Sequence, residues 1–452
     1  MFSKIMIANR GEIALRILRA ARELGIKTVV AHSEADVESL PVLLADEAVC
    51  VGPASAAGSY LNIPNLLSAA IITGAEAIHP GYGFLAENSR FAAMCSDHNL
   101  VFVGPTPDNM QALGDKASAR ELAQKAGVPV VPGSGIVDDL SDAALAATEI
   151  GYPVLIKASA GGGGRGMRAV RSEAELASAF AQAREEAKAA FGRPDVYLEK
   201  LIERPKHVEV QVLGDGQRVV HLFERDCSLQ RRHQKLLEEA PSGVSEKVRQ
   251  ELLQSAIKLC REVGYVSAGT LEFLVAPSGE FYFIEMNTRI QVEHPITELI
   301  TGVDLVQEQF RIASGEPLRY RQDQITLRGH ALEVRVNAED PEHGFRPTVG
   351  KVETLLWPGG PGIRIDSHLY ADYVVPSHYD SLLGKIVAWA ENRPAAIERM
   401  LRALSETAID APGMKTTVPF ARKILADPRF RAGEAHTNFL NELEPSFFGG
   451  GL

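Results

Sequence analysis

The sequence predicts a mixed fold, α/β at its start and α+β beyond, spread over two or three domains. Three observations predict it. The chain has 452 residues, well above the usual size of one domain. Its first 110 or so residues alternate short apolar runs with helical patterns, which points to a parallel sheet. From Pro205 to about Ser314 it becomes rich in Val, Phe and Glu and reads as antiparallel sheet with helices.

Residues 4–8 form the first apolar run. Asn9-Arg10-Gly11-Glu12 follows, then Ile13, Ile17, Leu18, Ala21 and Leu24 at helical spacing, closed by Gly25. Residues 28–31, 48–51 and 77–78 supply further strands, with helices between. This layer is Rossmann-like, but its first turn lacks GxGxxG, so no dinucleotide site is expected there. Residues 129–135 hold two prolines and two glycines and read as a linker. A small lobe runs from about Ile136 to Arg204. Pro358-Gly359-Gly360-Pro361-Gly362 marks a tight turn inside a last mixed region.

Composition narrows the function. A net charge of -11 argues against a general nucleic-acid binder, which needs a basic surface to displace counterions. No stretch approaches 18 uncharged apolar residues, so no membrane span is expected, and the N-terminus lacks a secretory pattern. Cys50, Cys95, Cys227 and Cys260 are far apart and form no CxxC pair. Free thiols in a reducing cytoplasm are expected rather than zinc or disulfides.

Three features carry chemistry. The first is the run Ala160-Gly161-Gly162-Gly163-Gly164-Arg165-Gly166-Met167, between apolar segments at 154–157 and 167–170. Successive glycines let backbone N–H groups approach a phosphate, and Lys157 at the strand end supplies a point charge. No GxxxxGK[ST] occurs, so this is a hairpin lid and not a Walker loop. The second is an acidic hairpin over residues 270–276 and 280–286. With Ser278-Gly279 as a two-residue loop, Glu272 faces Glu285, and Asn287 lies on the same face. Opposed carboxylates repel unless a cation sits between them, and hard oxygen ligands suit magnesium beside phosphate. The third continues that parity. Glu285, Asn287, Arg289, Gln291 and Glu293 share one face of a single strand, provided that it stays extended.

These segments, with Glu224-Arg225-Asp226-Cys227-Ser228-Leu229-Gln230-Arg231-Arg232-His233-Gln234-Lys235, His79-Pro80-Gly81-Tyr82-Gly83-Phe84 and Arg335-Val336-Asn337-Ala338-Glu339-Asp340-Pro341, resemble the biotin carboxylase subunits and domains of biotin-dependent carboxylases. The resemblance spans nearly the whole chain, from Ile7 to Thr416. It implies an ATP-grasp fold with a Rossmann-like N-terminal domain over 1–114, an ATP-grasp domain over 115–330 with a mobile lobe at 136–204, and a C-terminal biotin carboxylase domain over 331–446.

By the same resemblance, Lys116 and Lys157 contact ATP phosphates, and Gly163, Gly164 and Gly166 lie in the lid. Glu199, Lys200 and Ile202 line the adenine pocket, His207 reaches the ribose, and His233 lies near the nucleotide. Glu272, Glu285 and Asn287 hold two Mg2+ or Mn2+ ions, in agreement with the hairpin reading. Lys235, Arg289, Gln291 and Val292 hold bicarbonate, Glu293 is its general base, Arg335 stabilises the biotin enolate, and Tyr82 lies beside the biotin ring.

The implied reaction is ATP- and bicarbonate-dependent carboxylation of biotin through carboxyphosphate. Biotin would arrive as a substrate on a separate biotin carboxyl carrier protein, with a carboxyltransferase subunit as the further partner. Too little chain surrounds Met414-Lys415 to build a carrier domain. Arg19 and Glu23 match positions of a homodimer interface, where Pro361 replaces an aromatic. The alternatives are another ATP-grasp ligase, such as a carbamoyl phosphate synthetase half or a purine-pathway carboxylase, and a non-catalytic ATP-binding regulatory subunit. The long signatures at 231–235 and 289–294 disfavour the first, and the presence of Glu293 and Arg335 disfavours the second.

Overall fold

The computed structural model describes every residue except 160–166, 233, 444–446 and 448–452, and of residues 190 and 191 only the backbone. Five parallel strands open the chain: β1 (Lys4–Ile7), β2 (Lys27–Ser33), β3 (Glu47–Gly52), β4 (Ala77–His79) and β5 (Val101–Phe102). Their order is β3-β2-β1-β4-β5, a doubly wound layer with helix α1 (Gly11–Glu23) packed on it. The periodicity of Ile13, Ile17 and Leu18 seats α1 by full burial of those side chains.

The small lobe is a four-stranded sheet of order β6-β9-β7-β8: β6 (Gly133–Val137), β7 (Val154–Ala158), β8 (Arg168–Val170) and β9 (Val196–Lys200). β6 begins inside the stretch read as a linker, because Gly133 already pairs with Glu199. β7 and β8 are antiparallel partners, so the glycine run does connect the arms of a hairpin.

The largest sheet has eight antiparallel strands and positions most of the polar site. In chain order they are β10 (Lys206–Asp215), β11 (Val219–Arg231), β12 (Gln234–Ala240), β13 (Val266–Val275), β14 (Phe281–Asn287), β15 (His330–Asn337) and the strands Ile363–Ser367 and Leu382–Ala390. Spatially, β14-β13-β10-β11-β12 continues into β15 and then the last two. The pairing of β12 with β15 makes this sheet continuous across residue 330. One apolar face is filled by helix Glu246–Glu262, whose Leu252, Leu253, Ala256 and Leu259 pack with Val208, Val210, Leu271 and Phe273.

The hairpin register holds one surprise. The turn is a three-residue loop, Pro277-Ser278-Gly279, with the Ala276 N–H donating to the Glu280 carbonyl at 2.8 Å. Val275 therefore faces Phe281, one step away from the register expected of a two-residue loop. A bulge at Ile284 then restores that register, so that Glu272 does face Glu285.

Candidate active site

The sheet lines up charge across four strands. Glu285 on β14 faces Glu272 on β13, Glu272 faces Glu209 on β10, and Glu209 faces Arg225 on β11. Three opposed carboxylates would repel one another. Cations hold them. Arg225, wholly buried, donates from Nε to Glu209 Oε1 at 2.6 Å. Lys235 Nζ donates to Glu209 Oε2 at 2.5 Å and to Glu272 Oε1 at 3.2 Å. Lys116, on an exposed stem, pairs with Glu285 Oε2 at 2.8 Å.

Glu272 is the most heavily solvated by protein. Its Oε1 also accepts from Asn287 Nδ2 at 2.8 Å and from Gln291 Nε2 at 3.2 Å, and its Oε2 lies 2.9 Å from His207 Nε2. Burial alone would raise its pKa, but Lys235 and His207 outweigh burial and hold it well below the usual carboxylate range. A carboxylate kept charged in a buried place, opposite a second one, fits a divalent cation. The Asn287 amide turns its nitrogen to Glu272 and its oxygen to Arg289 Nη2, 2.8 Å away. It would present oxygen to a metal only after turning its amide over.

Beyond Asn287 the chain departs from the expected extended strand. β14 ends there, residues 288–293 form a turn, and Glu293 stands just ahead of helix His294–Thr301. Pro295 at the first helical turn suits that start, since it lacks the N–H that a sheet ladder would need. The turn gathers the same side chains by another route. Glu293 Oε1 accepts from Lys235 Nζ at 2.6 Å and its Oε2 from Arg335 Nη2 at 3.0 Å. Gln291 Oε1 accepts from Lys235 at 3.2 Å. Burial opposes the charge on Glu293, yet Lys235 and Arg335 prevail and keep it ionised far below its ordinary range.

The remaining expected residues fall into two further groups. On the small lobe, Lys157 pairs with Glu199, which also lies 3.4 Å from Arg120. The Lys200 N–H is taken by the Pro132 carbonyl at 2.8 Å, while the Ile202 N–H donates to no group among the described residues. Tyr82 hydrogen-bonds the Glu12 carboxylate, beside a cavity of about 170 Å³ lined also by Arg10, Phe84, Asp380 and Leu382. Gly81, at φ +62, brings the backbone so near Asn9 that an added Cβ would lie 2.9 Å from Asn9 Nδ2, the group that binds the Pro80 and Tyr82 carbonyls. Gly163, Gly164, Gly166 and His233 lie outside the described residues.

Several contributors escape the sequence motifs. Glu87, in the loop after β4, accepts from Arg289 Nε at 3.0 Å and from the Thr288 N–H at 3.0 Å. Glu209 and Glu238 look like ordinary strand acids until the sheet buries them. Lys385, also buried, donates to the Val292 carbonyl at 2.7 Å and lies 3.1 Å from Glu12. The alternation in Leu332-Glu333-Val334-Arg335-Val336 was the one available signal that Glu333 shares the face of Arg335.

Comparison with known proteins now decides the family. Residues 1–110 match the family described as "Biotin carboxylase, N-terminal domain", residues 115–321 "Carbamoyl-phosphate synthase L chain, ATP binding domain", and residues 333–442 "Biotin carboxylase C-terminal domain". A biotin carboxylase of Nostoc sp. is 57% identical over 445 residues, covering 98% of this chain and 99% of the relative. The chain belongs to the biotin carboxylase family. Its fold is therefore the ATP-grasp biotin carboxylase fold, and it is an enzyme, a biotin carboxylase. The biotin carboxylase domain of a thermophilic 2-oxoglutarate carboxylase, solved bound to bicarbonate, aligns with a TM-score of 0.94 at 48% identity over 100% of both chains. The corresponding domain dimer from Hydrogenobacter thermophilus, in complex with MgADP, ADP and bicarbonate, aligns at 0.90 with 49% identity, again over 100% of both.

Proposed function

We propose that this biotin carboxylase uses MgATP and bicarbonate to carboxylate biotin presented on a separate biotin carboxyl carrier protein, the first half-reaction of a multisubunit carboxylase, and that one polar face runs both of its steps, carboxyphosphate formation and carboxyl transfer to biotin. The observation that carries the reading is Glu293. Among the described residues it is the one carboxylate bridged by both Lys235 and Arg335, at 2.6 and 3.0 Å.

Lys116 and Lys157 would meet the ATP phosphates, the glycines 163, 164 and 166 would cover them, and Glu199, Lys200 and Ile202 would line the adenine pocket. The Ile202 N–H, unbonded among the described residues, suits an adenine edge, and the committed Lys200 N–H leaves only the carbonyl of that residue for the purpose. His207 and His233 would complete the nucleotide site. Glu272, Glu285 and Asn287 would hold the magnesium ions, which supply charge neutralisation at the phosphates.

Arg289, Lys235, Gln291 and the Val292 backbone would orient bicarbonate so that Glu293 takes its proton. A base kept ionised by two cations is a weak base in good position, and positioning is the larger gain for a proton this close. Nucleophilic attack on the γ-phosphorus forms the carbonate–phosphate bond and releases ADP. Carboxyphosphate then divides into CO2 and phosphate, phosphate accepts the biotin N1 proton, and N1 attacks CO2. Arg335 faces the oxygen on which enolate charge develops, and Tyr82 flanks the ring.

The division of the chain at residues 114 and 330, with the lobe at 136–204, follows the same reading, as do a carboxyltransferase partner, a cytoplasmic location and a homodimer. Arg19 and Glu23 are exposed on α1, and Pro361 is exposed as well, which suits a dimer contact. No helix among the described residues is long and apolar enough to cross a membrane.

The test separates the two halves. Glu293→Gln should lose bicarbonate-dependent ATP cleavage with or without biotin. Arg335→Ala should retain slow cleavage while carboxybiotin formation falls by roughly 10²–10³. Equal loss of both activities in both variants would make the pair a structural ion bridge and overturn these roles.

A further inference from the structure

Glu238 on β12 and Glu333 on β15 face each other directly, and both are fully buried. They form a second opposed acidic pair, and it differs from Glu272–Glu285 in its cations. Glu238 accepts from Arg335, Nε to Oε1 at 2.6 Å. Both oxygens of Glu333, and Oε2 of Glu238, meet no hydrogen-bond partner among the described residues.

The charged groups facing Glu333 come from every neighbour on that side. They are Glu238 from β12, Arg335 from its own strand, Lys385 from strand Leu382–Ala390, and Glu293 at the head of helix His294–Thr301. On that helix, Glu298 is already paired with Arg16 and Arg364, and His294 is buried and held neutral. Helices Arg393–Glu406 and Val418–Ala426 lie on the other face, against Leu332, Val334 and Val336, with apolar side chains. The nearby cations are spoken for: Arg335 by Glu238 and Glu293, Lys385 by Val292 and Glu12. An ionised Glu333, fully buried, would have no bonded counter-ion among the described residues, a costly state that a bound proton removes.

We propose that Glu333 is a positioning residue for the biotin carboxylation step: held as an uncharged acid opposite Glu238, it adds no third carboxylate charge to the two, Glu238 and Glu293, that already pair with Arg335, so that the guanidinium keeps its field toward the biotin enolate. This rests on the enolate role assigned to Arg335. A third anion beside the guanidinium would cancel part of that field and draw the side chain back into the sheet. Burial keeps the Glu333 pKa well above the usual range, and Glu238 and Glu293 add to the rise. Burial raises the Glu238 pKa as well, to about 7, but Arg335 donates to Glu238 and to neither oxygen of Glu333, so of the two acids Glu333 holds its proton more firmly.

Two measurements test it on the full chain. In isotope-edited infrared spectra of protein with labelled glutamate, Glu333→Gln should remove a carboxylic-acid C=O band present at neutral pH. No such band in the wild type would overturn the proposal whatever Arg335 does. The second follows carboxybiotin formed per phosphate released, with free biotin, as the pH rises from neutral into the alkaline range. The wild-type ratio should fall, on the order of tenfold, as Glu333 ionises. Glu333→Gln, unable to ionise, should lack that decline, while Glu333→Ala, which opens a cavity beside Glu238, should not share the rescue. An identical decline in wild type and Glu333→Gln would overturn the proposal. If Arg335→Ala itself left the ratio unchanged, the enolate role would be at fault, and the infrared band would still report the neutral acid.

Discussion

Carboxylates at positions 209, 272 and 285 stand opposite one another across three neighbouring strands, and only cations make that row tolerable. Two kinds of cation share the work. Arg225 is sealed in and bonds Glu209, Gln211, Thr270 and Thr297, so its role is to fix the row. Removing one partner from a sealed pair leaves the other charge uncompensated, at about 3–5 kcal/mol. Glu209→Gln should therefore lower the thermal midpoint sharply, and a midpoint near wild type would show that Arg225 finds another counter-ion. Lys116 is the opposite case, an exposed side chain that pairs with Glu285. Glu272→Gln and Glu285→Gln should each cut turnover by on the order of a hundredfold at saturating magnesium, through lost charge neutralisation. Steady-state phosphate release checks this.

Among the elements, the hairpin and the turn after it decide where the side chains point. The opposition of Glu272 and Glu285 was legible in the sequence, but through a two-residue loop that does not form. The actual three-residue loop shifts the register by one, and the bulge at Ile284 shifts it back. A bulge leaves no composition signal in Phe283-Ile284-Glu285, so counting from the turn could not have found it. The converging set from Glu285 to Glu293 was legible too, yet the extended strand was not the device. Alternation reads alike in a strand and in an irregular turn that happens to face one cleft. Glu87 was invisible because its partner lies some two hundred residues away and no motif joins them. Its carboxylate straps the N-terminal layer to Arg289 and Thr288. Losing two such bonds, one of them to a guanidinium, costs about 1–3 kcal/mol. Glu87→Ala should raise the bicarbonate KM roughly tenfold while changing kcat less, as measured by ATP cleavage at varied bicarbonate.

Across the whole molecule, ion pairs knit the first layer to the last strands. Arg16 on α1 bonds Glu298 at 2.9 Å and Asp304 at 2.7 Å, and Arg364 bonds Glu298 at 2.6 Å and Asp366 at 2.7 Å. Burial works against the charge of Glu298, but Arg16 and Arg364 bring its pKa down to about 2. An unfolded glutamate titrates near 4.3. The folded state thus holds fewer protons between these values, and its stability should fall as the pH drops from about 4.3 toward 2. The thermal midpoint should decline over that acid window in the wild type and less steeply in Glu298→Gln. Parallel declines would place the acid sensitivity elsewhere. The alternating start and the antiparallel middle of the chain were legible at this scale. The single eight-stranded sheet was not, because the pairing of β12 with β15 joins segments about ninety residues apart that no local pattern relates. With biotin presented on a separate carrier, as proposed, mass spectrometry after expression with a biotin ligase should find Lys415 unmodified.

As proposed, this polar face transfers the carbon of bicarbonate to biotin. The most direct measurement supplies isotopically labelled bicarbonate, ATP, magnesium and free biotin, and follows label in acid-labile carboxybiotin alongside ADP release. Labelled carboxybiotin should form only when all four are present, and Arg335→Ala should form none beyond about a hundredth of the wild-type rate. ADP release that depends on bicarbonate yet never places label on biotin, even at saturating biotin, would contradict it.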